Sequence, residues 1–115
     1  SETPEEATPG NAYWDTLSVV ESVIDSSGPL KEFTLHCVSG PQNYVRKMLD
    51  LGAYCGFDGN LTYPNAHQIR ALWRMVPADR RLLETDAPYL PPQSHRGKVC
   101  EPWMIAETAA FAATV

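Results

Sequence analysis

The side chains in this sequence best suited to chemistry follow short apolar runs. Arg81-Leu82-Leu83-Glu84-Thr85-Asp86-Ala87-Pro88-Tyr89-Leu90 begins as an apolar strand and ends in two carboxylates, Glu84 and Asp86. Strand side chains alternate faces, so Leu82, Glu84 and Asp86 share one face while Leu83 and Thr85 share the other. A strand of this composition is normally buried on both sides, and two acids at its end then need a metal ion, a cationic partner or a raised pKa. A plainer role, as capping or salt-bridged loop residues, fits Glu84 and Asp86 as well. His36 closes an earlier strand, and Asp58 and Asn60 follow another. Neutral imidazole and carboxylates are ligands for zinc, manganese or magnesium. Taken alone, His36 reads as a buried histidine donating to a backbone carbonyl, and Asp58-Gly59-Asn60 as a plain turn. His95-Arg96-Gly97-Lys98 reads either as a solvated basic loop or as an anion site, because arginine offers a two-pronged fork to phosphate or carboxylate.

Positioning these groups requires strands that end together. Asn11 can cap a helix running to about Ser26, with Tyr13, Trp14, Leu17, Val20 and Ile24 along one stripe. A strand over Phe33–His36 follows, then a helix from Gln42 to about Leu51 that Gly52 ends in a left-handed conformation. Ala53–Gly56 is a second strand. Asn65, with Gln68 three residues on, forms a capping-box pattern before a helix carrying Ile69, Leu72, Trp73 and Val76 on one face. The acid-tipped strand comes next, followed by a proline-rich loop. Pro102 opens a last helix to about Ala113, with Trp103, Ala106, Ala110 and Ala113 on one side. Strands alternating with single helices imply parallel pairing and right-handed crossovers, which bring every strand's carboxyl end to one side. Three such strands make a narrow sheet, so the chain reads as part of a larger architecture.

Composition narrows the function classes. The chain has 115 residues, 43% of them hydrophobic and 20% charged, as in a soluble globular domain. No apolar run is long enough to span a membrane. A net charge of −5 argues against nucleic-acid affinity resting on a basic surface, though not against a nucleic-acid substrate held at a bound cation. Cys37, Cys55 and Cys100 form no paired motif, which points to a reducing compartment and a cytoplasmic location. Residues 1–10, acidic and proline-containing, read as a disordered tail or an expression remnant.

Several segments together resemble one family. His36-Cys37-Val38-Ser39-Gly40, Gly56-Phe57-Asp58-Gly59, Leu83-Glu84-Thr85-Asp86-Ala87-Pro88-Tyr89-Leu90, His95-Arg96-Gly97-Lys98 and Glu101-Pro102 are similar, in order and spacing, to the C-terminal portion of TatD-type metal-dependent hydrolases. The resemblance runs from about Phe33 to the end, and less closely through the helix containing Asp15-Thr16-Leu17. It implies an α/β fold, a partial (β/α)8 TIM barrel supplying the last three strand–helix units and a preceding helix over residues 11–115. It also implies a two-metal site for Mg²⁺, Mn²⁺ or Zn²⁺ and deoxyribonuclease activity, often from the 3′ end of DNA. The family's sixth-strand histidine falls on His36 and its eighth-strand aspartate on Asp86, as metal ligands. Asp86 would also touch the hydrolytic water and relay its proton. Glu84, Arg96 and Lys98 match supporting or substrate-binding positions. The family's paired first-strand histidines, fourth-strand glutamate and fifth-strand histidine have no counterpart here, and Val38 and Cys100 stand where phenylalanine and asparagine are more usual.

Two readings follow. In the first, the chain is the C-terminal segment of a TatD-like hydrolase, inactive alone, in which His36 and Asp86 end neighbouring parallel strands and face one divalent ion. It would then need another chain or copy to cover its open sheet edges. In the second, it is a non-catalytic half-barrel serving as a binding or structural module.

Overall fold

The computed structural model describes residues 11–115; the expected tail over residues 1–10 lies outside the described residues. The element order is α1 (Ala12–Ser27), β1 (Phe33–Leu35), α2 (Gln42–Asp50), β2 (Ala53–Phe57), α3 (His67–Met75), β3 (Arg81–Leu83) and α4 (Ile105–Ala112), with single 3-10 turns between some of them. Asn11 caps α1 as its sequence position implies, its side chain accepting the Tyr13 N–H at 2.8 Å. Gly52, at φ +104°, turns the chain from α2 into β2. The expected capping box at α3 does not form: the N-cap is Ala66, with no side-chain capping bond. Arg70 ties this corner down instead, donating to the carbonyls of Tyr63 at 2.6 Å and Pro64 at 3.0 Å.

Among the described residues the strands form one parallel sheet in the order β1-β2-β3. Leu35 pairs with Cys55, and Gly56 and Phe57 pair with Leu82 and Leu83. β1 and β3 are therefore not neighbours, as the sequence reading had them; β2 lies between. Ala53, Cys55 and Phe57 point to the helices, where they meet Val45, Met48, Leu72 and Val76 in a core of fully buried side chains. Phe57 stands edge-on to Trp73, with ring centres 5.1 Å apart. Arg81 also lies over that indole, 4.5 Å from its centre, and donates to the Val76 carbonyl. Packing of this kind makes truncation of Leu72 cost about 2–5 kcal/mol, the usual range for a buried leucine.

Two further expectations are corrected. Leu82 is 41% exposed, not buried, because among the described residues nothing covers the sheet face it shares with Thr34 and Tyr54. Those residues, with Glu32 and Phe33, line an open cleft of about 510 Å³. On the last helix the inward side chains are Met104, Thr108 and Ala112, while Trp103 is 53% exposed and Ala106, Ala110 and Ala113 face water. Three alanines offer little apolar area, so the larger Met104 and Phe111 decide which face turns in.

The loop between β3 and α4 is pinned by Glu107, which accepts hydrogen bonds from Ser94 Oγ and from His95 Nε2, the latter at 2.8 Å. The bond from Ser94, then that from His95, holds the Glu107 carboxyl below its ordinary 4.5. As pH falls the unfolded chain takes up this proton first. The stabilisation is therefore complete above the ordinary value and disappears as pH drops through the lower, folded-state one. Glu107→Gln should lower the urea midpoint at neutral pH, and the gap from the wild-type chain should close below the carboxylate range. A gap that stays constant from about pH 7 to pH 3 would contradict this.

Candidate metal centre

The polar residues after the three strands converge at the carboxyl end of the sheet. From the observed register, His36 lines up with Gly56 and Leu82 on the uncovered face, and Asp58 with Glu84. Beyond β3 the ladder continues by one bond, from the Glu84 N–H to the Phe57 carbonyl at 3.0 Å. Glu84 then sends its side chain back across β2. Its Oε1 accepts from the Cys37 N–H at 2.7 Å and meets His36 Nδ1 at 2.7 Å. Gly56 makes this crossing possible, because a β-carbon at that position would overlap the Glu84 carboxylate. Cys37 itself is in the left-handed region, at φ +47°.

His36 is not the buried, carbonyl-bonded histidine that its sequence position alone suggested. Its side chain is 57% exposed and sits between two carboxylates, Nδ1 on Glu84 and Nε2 at 3.6 Å from Asp86 Oδ1. The Glu84 hydrogen bond and charge, more than burial opposes, raise the pKa of the imidazole. Asp86 is held by a tight turn in which the Tyr89 N–H donates to the Asp86 carbonyl at 2.7 Å. With Glu84 fixing Nδ1, Nε2 is the nitrogen turned toward Asp86. A carboxylate on the far nitrogen commonly orients a metal-ligating histidine in this way.

Asp58 is the residue that sequence reasoning passed over as a turn. It is fully buried, and neither of its carboxylate oxygens meets a hydrogen-bond donor among the described residues. Burial first, and then the adjacent Glu84 carboxylate, push its pKa up, while His36 opposes the shift. The available signal was alternation: Asp58 follows Gly56 by two residues on a strand whose remaining positions are apolar, so it belongs to the face that carries His36. One imidazole and two carboxylates, those of His36, Asp58 and Glu84, lie within 4.8 Å of one another, and with the orphaned oxygens of Asp58 they make a donor set that fits a divalent cation.

Arg96 and Lys98 do not touch these acids. Arg96 lies over the Tyr63 ring, 4.0 Å from its centre, and donates to Gln93 Oε1 at 3.3 Å; Lys98 is exposed. Their loop nonetheless packs on the segment after Asp58. The Tyr63 hydroxyl donates to the Pro91 carbonyl at 2.8 Å, the Gln93 N–H donates to Thr62 Oγ1 at 2.7 Å, and a β-carbon on Gly59 would strike the Leu90 carbonyl oxygen.

A parallel sheet backed by helices, with acids and a histidine gathered at its carboxyl end, is the arrangement of an α/β protein that places its functional groups at the strand ends. The profile of the TatD related DNase family matches residues 10–115, and the chain belongs to that family. It is 43% identical over 107 residues to the metal-dependent hydrolase YcfH of Escherichia coli strain K12, a match covering 91% of this chain and 38% of YcfH. A 3′-5′ ssDNA/RNA exonuclease TatD of Edwardsiella piscicida is 40% identical over 84 residues, covering 66% of this chain and 32% of that protein. The crystal structure of YJJV, a TatD homologue from Escherichia coli K12, superposes with a TM-score of 0.76 at 24% identity, covering 89% of this chain and 38% of that one. The fold is thus a partial TIM barrel, and the chain spans roughly a third of the length of these relatives.

Gly56→Ala should displace Glu84 rather than the backbone, because the obstructing atoms end a flexible side chain. The expected loss is about 1 kcal/mol from the freed Cys37 N–H, with faster hydrogen exchange at that amide. Unchanged exchange at Cys37 would mean that Glu84 does not cross β2.

Proposed function

We propose that this chain supplies the C-terminal part of a metal-dependent hydrolase that cleaves DNA phosphodiester bonds from the 3′ end, and that it is inactive as an isolated chain. The observation that carries the reading is the meeting of His36 and Asp86, from two strands separated by a third, at 3.6 Å on the carboxyl side of the sheet. The Edwardsiella relative's name, a 3′-5′ ssDNA/RNA exonuclease, supports the substrate class. His36 and Asp86 are the residues that hold a divalent ion, Mg²⁺, Mn²⁺ or Zn²⁺. When bound, such an ion supplies Lewis acidity and lowers the pKa of water. Glu84 positions His36 through Nδ1. Asp86, partly exposed beside Nε2, is the acid placed to accept a proton. Arg96 and Lys98, exposed on the loop that packs against the Asp58 segment, offer cations to a phosphate backbone.

Activity in this reading needs the ligands that the chain lacks. The isolated chain with Mg²⁺ or Mn²⁺ should leave a 3′-labelled single-stranded oligonucleotide intact. Mixed with a polypeptide carrying the first two-thirds of YcfH, it should restore digestion that Asp86→Ala or His36→Ala abolishes. Digestion by the chain alone, lost in Asp86→Ala, would overturn the inactivity. Restored digestion indifferent to both substitutions would overturn the site. Metal content and partner binding unaffected by both alanines would favour the non-catalytic module.

We further infer that another chain or a second copy covers the edges of β1 and β3 and the face bearing Thr34, Tyr54 and Leu82, since open parallel edges readily pair. Size-exclusion chromatography with light scattering should return a mass above that of one chain; a stable, compact monomer at micromolar concentration would exclude this. Among the described residues no helix is long and apolar enough to cross a membrane. The free thiols of Cys37, Cys55 and Cys100 support a reducing, cytoplasmic location.

A further inference from the structure

We propose that Asp58 is itself a cation ligand, forming with Glu84 and His36 a one-ion site carried wholly by this chain. The proposal rests on the reading of this end of the sheet as a metal centre, and adds a donor to which the sequence resemblance assigns no role.

Charge at this end of the sheet is unmet. Asp58 is fully buried with both oxygens unpartnered among the described residues, and it faces a second carboxylate, Glu84. An unpaired buried carboxylate costs several kcal/mol, and two in contact cannot both stay ionised without a positive group between them. The nearby basic side chains do not serve. Arg80 donates to the Gly52 carbonyl, Arg81 to that of Val76, and Arg96 lies over Tyr63. His36 already engages Glu84 through Nδ1 and stands 3.6 Å from Asp86.

One ligand atom from each of His36, Asp58 and Glu84 lies within 4.8 Å of the other two. Donors on opposite sides of a zinc-sized ion stand about 4.0–4.4 Å apart, two metal–ligand bond lengths, so side-chain movements of a few tenths of an ångström close these three on one cation. Two carboxylates and an imidazole suit Mn²⁺ and Zn²⁺. The competing arrangement is a proton shared between Asp58 and Glu84. Asparagine at position 58 separates the two, because it keeps the volume, removes the charge and gives Glu84 an amide donor.

Mn²⁺ titration calorimetry, paired with thermal unfolding with and without Mn²⁺, tests this on the full chain. The wild-type chain should bind one ion and unfold at a higher temperature with Mn²⁺ present. Asp58→Asn should unfold no lower than wild type without Mn²⁺, yet bind it at least tenfold more weakly. Wild-type affinity in Asp58→Asn would overturn the proposal; if His36→Ala or Asp86→Ala lost binding in the same series, the metal-centre reading would still stand. No Mn²⁺ binding by the wild-type chain would also overturn it, leaving the wider reading to the reconstituted nuclease assay.

Discussion

The carboxylate of Glu84 reaches from the end of the third strand, over the middle strand, to a backbone N–H and an imidazole on the first. The site's geometry depends on that crossing. It joins segments 47 residues apart in the chain, fixes which nitrogen of His36 turns toward Asp86, and is possible because position 56 has no side chain. Parallel pairing brings the strand ends to one side of the sheet, but pairing alone leaves His36 and Asp86 two strands apart. Glu84 closes the gap. The sheet is a frame; the crossing acid makes it a site.

That arrangement also accounts for the crowding of negative charge. Glu84 cannot cross Gly56 without lying against whatever follows Phe57 on the same face, and that residue is Asp58. Structural carboxylates are normally matched by cations or donors. Here the core side of the sheet uses its arginines elsewhere, on carbonyls and aromatic rings, and the carboxyl end keeps its acids around one histidine. A divalent ion of the kind proposed above would offset that imbalance. A purely structural protein would more cheaply fill position 58 with a neutral side chain.

Much of the fold was legible in the residues. Apolar spacing located the four α-helices and three strands found among the described residues. Gly52 marked the end of α2, Asn11 the start of α1, and the alternation of helices and strands the parallel sheet. The misses have physical causes. The capping box at Asn65 did not form because the helix starts one residue later, with Ala66 as its N-cap, while Arg70 binds the carbonyls of Tyr63 and Pro64 before it. The buried face of α4 was misread because alanines mark a stripe without the area to enforce it. Leu82 was expected to be buried because hydrophobicity says what a face can pack against, not whether another strand lies there. At the site, His36, Glu84 and Asp86 were visible as residue types at strand ends. Asp58 was hidden by Gly59 and Asn60, which turn the segment into a convincing loop motif while the aspartate still belongs to the strand's alternation.

One proton on one ring decides whether Glu84 holds His36. Nitrogen-15 correlation spectra of the His36 imidazole, recorded at a pH alkaline enough to leave it neutral, assign that proton directly. With Glu84 across β2, the neutral ring should be the Nδ1–H tautomer, its proton slowed in exchange by the carboxylate, and Glu84→Ala should release it to the mixture of a free histidine. An Nε2–H ring, or a wild-type ring already averaging between both forms, would mean that Glu84 does not hold His36 and that the acids and the histidine share a loop region without forming a site.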